Sequence, residues 1–369
     1  MKVLYFTRND SVHDRRFLST MTLAGIEVFL LRLYSESGPL LGLPKTVKEV
    51  RWQDQPSKEP RRIHDRVVEL QRIIQETQPD LIHAGPLTDC AYLAARSGFQ
   101  PLVNMSWGSD ILAAGGWNFR NKKTVQRTLE HSTVLIGDCE AVKQRAIGLG
   151  FPADRIVIFP WGIDLKHFSP GSGGDLRKKW GYDKEFVILS LRSWEPIYGV
   201  EVVVKSFIAA TRQNPALRLL LGGTGAQEEK IRKVVCESGV EDKIRFLGQI
   251  PQTELPEIYR GSDLYVSASH SDGSSVTLME ALACGKPVLV SDIPGNREWV
   301  TEGQNGWLFR DSNIHQLANL MGSIPKELTL LNKMAVNNRQ LAVEKADWKK
   351  NSKSLIRAYD LAMKLKGSE

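Results

Sequence analysis

Short apolar runs along the chain alternate with segments whose apolar residues recur every three or four positions. In the first half the runs are KVLYFT (2–7), EVFLLRL (27–33), LIHA (81–84), LVNMSW (102–107), TVLIGD (133–138) and IVIFPW (156–161). Between two of them Ile63, Val67, Leu70 and Ile74 are spaced by four, three and four, which predicts a helix that Pro79 ends. Strands apolar on both faces, with helices between them, predict a parallel sheet covered on both sides. The pattern restarts with FVILSL (186–191), LRLLLGG (217–223), IRFLGQ (244–249), DLYVSAS (263–269) and PVLVSD (287–292). Between the two series, WGIDLKHFSPGSGG (161–174) reads as a linker because of its Pro and Gly. The expected fold class is α/β, with two doubly wound domains. In such sheets ligands bind beyond the carboxyl ends of the strands, which for two domains means the cleft between them.

Length agrees, since 369 residues exceed one ordinary core. The chain is 42% hydrophobic and 25% charged, and no apolar run approaches the ~18 residues of a membrane span. Met1 leads directly into KVLYFT, so no signal peptide is expected. Cys90, Cys139, Cys236 and Cys284 form no CxxC pair, which argues against a zinc site or a disulfide framework and suits a reducing cytoplasm. The net charge of +7 gathers at Arg15-Arg16, Arg61-Arg62, Lys122-Lys123, Arg177 to Lys179 and Lys349-Lys350. Two readings stand: solvated faces, or attraction to anionic ligands or an anionic membrane surface. No nucleic-acid-binding motif accompanies the charge, so nucleic acid is not an expected partner.

The chemistry concentrates in SDGSSVTLMEALACGKPVLVSD (271–292). A strand ends at DLYVSAS, and HSDGSS turns into a helix starting near Ser275. A Ser side chain suits the cap and Gly suits the tight backbone, leaving first-turn amides as an anion site. Inside the helix Thr277, Glu280 and Cys284 form a narrow polar stripe among Val276, Leu278, Met279, Leu282 and Ala283. A buried lone carboxylate costs several kcal/mol unless hydrogen-bonded. Glu280 is therefore expected to hold the vicinal diol of a sugar, most simply a nucleotide's ribose. The alternative is a rim glutamate or the partner of a structural arginine. GGTGAQ (222–227) lacks the third glycine of a dinucleotide fingerprint and reads as a close-packed turn.

These residues resemble the signature of retaining family-4 glycosyltransferases with the GT-B fold. Asp272, Gly273-Ser274-Ser275, Glu280 and EALACGKPV (280–288) follow that pattern in order. So do SDIPGNREWV (291–300), GQNGWLF (303–309), FPWGIDLKHFSPG (159–171), LRSWEPIYGVEVVVKSF (191–207), LGGTGAQEEKI (221–231) and IRFLGQI (244–250). The resemblance implies two Rossmann-like domains facing across a cleft. One is 1–164, on the acceptor side and completed by a C-terminal helix 352–369; the other is 165–351, the donor domain. It also implies a donor site made of Gly273, Ser274, Ser275, Val276, Glu280, Tyr198, Gly199, Gly223, Gly225 and Ile250. In that site Glu280 would bind the ribose, Asp272 the transferred sugar, Arg192 the diphosphate, and the backbone at Ile250 the base.

Three positions depart from the family pattern. Asp272 replaces a glutamate, Tyr198 replaces a phosphate-binding lysine, and Trp107 in MSWGSDIL (105–112) replaces a histidine. Trp107 cannot titrate, but its indole N–H can donate one hydrogen bond. His13, Arg15 and Arg16 in the loop after the first strand could supply the missing positive charge, or the arginines could be solvated. His83 and Asp110, at strand ends, could touch the acceptor; His83 fits equally well as a core histidine. The expectation is a metal-independent enzyme without a cofactor. It would transfer a sugar, with retention, from a nucleotide-diphosphate sugar to a sugar or lipid-linked hydroxyl. It would be cytoplasmic and could sit on the membrane's inner face. A nucleotide-sugar epimerase and a catalytically impaired nucleotide-sugar-binding protein are the alternatives.

Overall fold

A computed structural model describes residues 1–9, 11–34, 42–53, 63–112 and 119–367. The Arg61-Arg62 pair lies outside the described residues. The chain divides into two compact units, Met1–Phe159 with Lys350–Glu369, and Pro160–Lys349.

The first unit holds seven parallel strands: β1 (Lys2–Thr7), β2 (Glu27–Arg32), β3 (Lys48–Val50), β4 (Leu81–Ala84), β5 (Leu102–Met105), β6 (Val134–Gly137) and β7 (Ile156–Ile158). Their order across the sheet is β3-β2-β1-β4-β5-β6-β7. The second unit holds six: β8 (Phe186–Leu191), β9 (Leu217–Gly222), β10 (Ile244–Gly248), β11 (Leu264–Ser267), β12 (Val288–Ser291) and β13 (Gly306–Phe309), ordered β10-β9-β8-β11-β12-β13. Each sheet is doubly wound, with the strand order reversing at β1/β4 and at β8/β11. The two edge strands β3 and β13 were not expected. KEV is short and half-polar, and GWLF is only four residues long.

The helix Ile63–Thr77 forms where the spacing places it, but its buried face is Val67, Leu70, Ile73 and Thr77, while Ile63 stands 49% exposed. The 161–174 segment is not a free linker. Ile163 and Phe168 are fully buried in the second unit, Ile163 exchanges backbone hydrogen bonds with Ala346 and Trp348, and Arg339 Nη1 donates to the Phe168 carbonyl at 2.9 Å. Its two apolar anchors outweigh its Pro and Gly, so the unit begins at Pro160 rather than at 165.

The chain's last helix, Lys353–Lys366, belongs to the first unit and packs on β5, β6 and β7. Its Tyr359 hydroxyl meets His83 Nδ1 at 2.6 Å and Met21 Sδ at 3.0 Å. His83 is wholly buried on β4, edge-on to the rings of Tyr5 and Phe17. It is a core histidine, not an acceptor contact. Burial pushes it from an ordinary 6.5 to about 3. The folded protein thus refuses a proton that the unfolded chain accepts below pH 6.5. Stability is complete above that value and is lost as pH falls toward 3, by about 1.4 kcal/mol per pH unit for one such group. Urea titrations from pH 7 to pH 4 should show His83→Gln flattening this acid slope by about one proton relative to wild type.

Candidate active site

In the second unit the strand order reverses between β8 and β11, so the loops leaving these two strands flank the crevice where such sheets bind ligands. Arg192 follows β8 and Asp272 follows β11. They meet there: Arg192 Nη2 donates to Asp272 Oδ2 at 2.7 Å. Arg192 Nη1 donates to Ser275 Oγ at 2.6 Å and to Thr277 Oγ1 at 3.2 Å. Burial works against the guanidinium's charge, but Asp272 with Tyr265 and Tyr198 outweighs it and holds the group above its ordinary value. Thr277 is itself held by the Tyr265 hydroxyl at 2.7 Å.

Ser275 occupies the cap position of the helix Val276–Ala283 but makes no side-chain capping bond. The Ser cap expected from sequence is therefore replaced by a hydroxyl bonded to Arg192. Ser274 is equally committed, accepting from the Trp299 indole at 3.0 Å. The backbone of Asp272 and Gly273 is braced by the short helix Pro294–Arg297 at Gly295, where a Cβ would come within 2.5 Å of both carbonyl oxygens.

Glu280 is 3% exposed. Its carboxylate accepts from the Tyr259 hydroxyl at 3.0 Å, with the Gln252 amide at 3.4 Å. Burial holds the Tyr259 hydroxyl well above its ordinary range, so it stays a protonated donor. The buried charge in this oily helix thus has a tyrosine against it.

Beside Arg192 opens a cavity of about 330 Å³ lined by Leu191, Arg192, Gly222, Gly223, Thr224, Gln249 and Ile250. Gly223 lies against the Arg192 carbonyl, with φ +113 and a notional Cβ at 2.2 Å, and Gly225 lies against Trp194. Tyr198 brings no positive charge in place of the family's lysine. Its ring lies over Arg192, centroid 4.1 Å from the guanidinium carbon. The loop carrying it is pinned at Gly199, whose φ of +59 and closeness to the Ala268 carbonyl admit no side chain.

The first unit's expected site residues are mostly turned to structural tasks. Asp110 accepts from the Leu87 amide (2.8 Å), the Ser106 hydroxyl (2.7 Å) and the Trp107 amide (3.0 Å), tying together the loops after β4 and β5. Its carboxylate is thereby spent on the scaffold rather than offered to an acceptor. The Trp107 indole nitrogen is buried over Gly85, whose missing Cβ makes the room, so its N–H is directed inward. Burial, with Arg16 beside it, pushes His13 down to about 4, so it carries no positive charge at neutral pH. Arg15 and Arg16 are half-buried on the helix Val12–Leu23. Among the described residues no three His, Cys, Asp or Glu side chains converge to hold a metal ion.

The family Glycosyl transferases group 1 matches residues 174–341, and the family Glycosyl transferase 4-like matches residues 2–138. The chain belongs to the group 1 glycosyltransferases. Among curated relatives of this glycosyltransferase, D-inositol 3-phosphate glycosyltransferase of Nocardia farcinica is 26% identical over 63% of the chain and 53% of its own length. The chain thus spans about half the length of that relative. A GDP-mannose-dependent alpha-(1-6)-phosphatidylinositol monomannoside mannosyltransferase of Mycolicibacterium smegmatis is 22% identical over 72% of each chain. Among solved structures, HepE of Anabaena in complex with UDP-glucose superposes with a TM-score of 0.82 at 19% identity, over 98% of this chain and 99% of that one. Sucrose-phosphate synthase of Thermosynechococcus elongatus gives 0.81 at 18% identity over 100% of both chains. These likenesses establish the GT-B fold.

Sequence reasoning missed Tyr259, Tyr265 and Trp299, whose polar ends hold the site together, and gave Thr277 no partner. The aromatic residues sit in apolar runs and read as core. The signal was the polar stripe Thr277–Glu280, since polar atoms inside an oily helix require partners.

Proposed function

We propose that this glycosyltransferase moves a sugar from a nucleoside-diphosphate sugar to a hydroxyl acceptor, with retention of configuration and without a metal ion. The observation that carries this is Arg192, held at the switch point between a 330 Å³ cavity and Asp272. A base entering the cavity would stack at Ile250 and Gly222, and the ribose diol would donate to Glu280. The diphosphate would lie on Arg192 and the first-turn amides of Val276–Ala283, and the sugar hydroxyls would meet Asp272. As the anomeric C–O bond breaks, its electron pair leaves with the diphosphate. The acceptor oxygen attacks the same face and passes its proton to a departing phosphate oxygen. The protein's task is then positioning and neutralising the leaving group, which a guanidinium can do in a cation's place.

HepE was solved with UDP-glucose and the mycolicibacterial relative is named for GDP-mannose, so the donor test should span both bases. Purified protein with EDTA, a nucleotide-sugar panel and an acceptor extract should release nucleoside diphosphate only when acceptor is present. Release abolished by EDTA and restored by Mg²⁺ would exclude the metal-free form.

The acceptor in this proposal is a sugar or a lipid-linked glycan precursor. Among the described residues no helix is long and apolar enough to cross a membrane. The exposed Lys122 and Lys123 on the helix Phe119–Glu130 favour peripheral contact with anionic lipid. Arg177 adds nothing to such a surface, because Asp263 takes it in two hydrogen bonds of 2.8 and 2.9 Å. Co-sedimentation should show binding to anionic vesicles that fades with added salt, since screening acts within roughly 8–10 Å at physiological ionic strength. Equal binding to neutral vesicles would remove the electrostatic contact with anionic lipid from the account.

A further inference from the structure

Both terminal nitrogens of Arg192 are occupied by the protein's own groups. Nη2 is on Asp272, Nη1 is on Ser275 and Thr277, and the Tyr198 ring covers a face. The arginine side chain is 9% exposed and the aspartate 16%, so water screens their attraction weakly. A diphosphate and Asp272 are both anions competing for the same guanidinium.

The outcome of that competition depends on what the diphosphate carries. A bare nucleoside diphosphate that takes Nη2 leaves Asp272 a partly buried carboxylate without its cation and beside a second anion. A nucleotide sugar brings hydroxyl groups that can donate to the freed carboxylate and so replace what it lost. We propose that the Arg192–Asp272 ion pair makes this site discriminate between donor and spent product, with Asp272 as the specificity-determining residue. The pair rejects the free nucleoside diphosphate and yields to the same nucleotide when a sugar is attached. This rests on the reading of the site as one for nucleotide-diphosphate sugars.

The test is calorimetric titration of wild type, Asp272→Asn and Asp272→Ser with UDP, GDP, UDP-glucose and GDP-mannose, with melting curves for each protein. Removing the competing carboxylate should tighten binding of the accepted nucleoside diphosphate roughly ten- to a hundredfold, the worth of a hydrogen bond to a charged group. Binding of the matching nucleotide sugar should not tighten in parallel, so the preference for sugar over product should shrink. The diphosphate should also raise the variants' melting temperature more than it raises that of wild type. A purely structural aspartate would lower both affinities together. If Asp272→Asn is too unstable to titrate, Asp272→Ser and the ligand-induced melting shifts decide. Nucleoside-diphosphate affinity unchanged or weakened in the folded variants overturns the proposal while leaving the donor site standing. Wild type binding none of the four ligands overturns both.

Discussion

Deleting residues 352–369 should leave the first unit unfolded at a temperature where the second still melts as a cooperative body. The lost helix is an integral wall of that unit, although roughly 190 residues of the second unit separate it from β7. Leu355, Ala358, Tyr359 and Ala362 are all fully buried there, and the Tyr359 hydroxyl is the partner of His83. Removing one buried Leu or one buried aromatic ring costs about 2–5 kcal/mol each. The helix removes both, together with two alanines, and strips cover from β5, β6 and β7. A loss of about 5 kcal/mol or more matches the whole stability of many domains. Scanning calorimetry on full-length and shortened proteins should show one transition vanish while the other persists. Two unchanged transitions would show that the helix merely rests on the surface.

Arg192→Ala should lower turnover by roughly a hundred- to a thousandfold, the range seen when a group that stabilises charge in the transition state is removed. Arg192→Lys should not restore it. The guanidinium is used as a fork, with one nitrogen on Asp272, the other on two hydroxyls, and its flat face on Tyr198. An ammonium can reproduce neither the divergence nor the stacking. Either change also leaves Asp272 without its proper partner, so some stability will be lost. Rates should therefore be measured well below the variants' melting temperatures. Turnover within tenfold of wild type in Arg192→Ala would mean that the leaving diphosphate is neutralised elsewhere.

The fold was legible because parallel strands buried on both faces announce themselves as unbroken apolar runs. Eleven runs were expected, and each contains a strand of the structure. What escaped was short or mixed: β3 is three residues with two charges, and β13 is four residues after a turn-rich stretch. The linker reading failed because Pro and Gly signal backbone shape, whereas Ile163 and Phe168 decide where the segment docks. In the site, Asp272, Arg192 and Ser275 do come together, but the sequence could not show that they bond to one another. Nor could it distinguish a strand-end residue that faces a ligand from one that ties two loops or fills the core, which is why Asp110 read as a contact and His83 stayed open between contact and core. Tyr198 replaces a cation without replacing its charge, a role that only the position of its ring reveals.

The most direct measurement is a calorimetric titration of wild type and Glu280→Gln with UDP-glucose and GDP-mannose. Glutamine can still accept from Tyr259, so folding should survive while the charge-assisted bond to a ribose diol is lost. The account predicts that wild type saturates with one of these nucleotide sugars and that Glu280→Gln binds it roughly ten- to a hundredfold more weakly at an unchanged melting temperature. Equal affinity in the two proteins would contradict the assignment of Glu280 to the ribose. Saturation of wild type by neither nucleotide sugar would contradict the donor site itself.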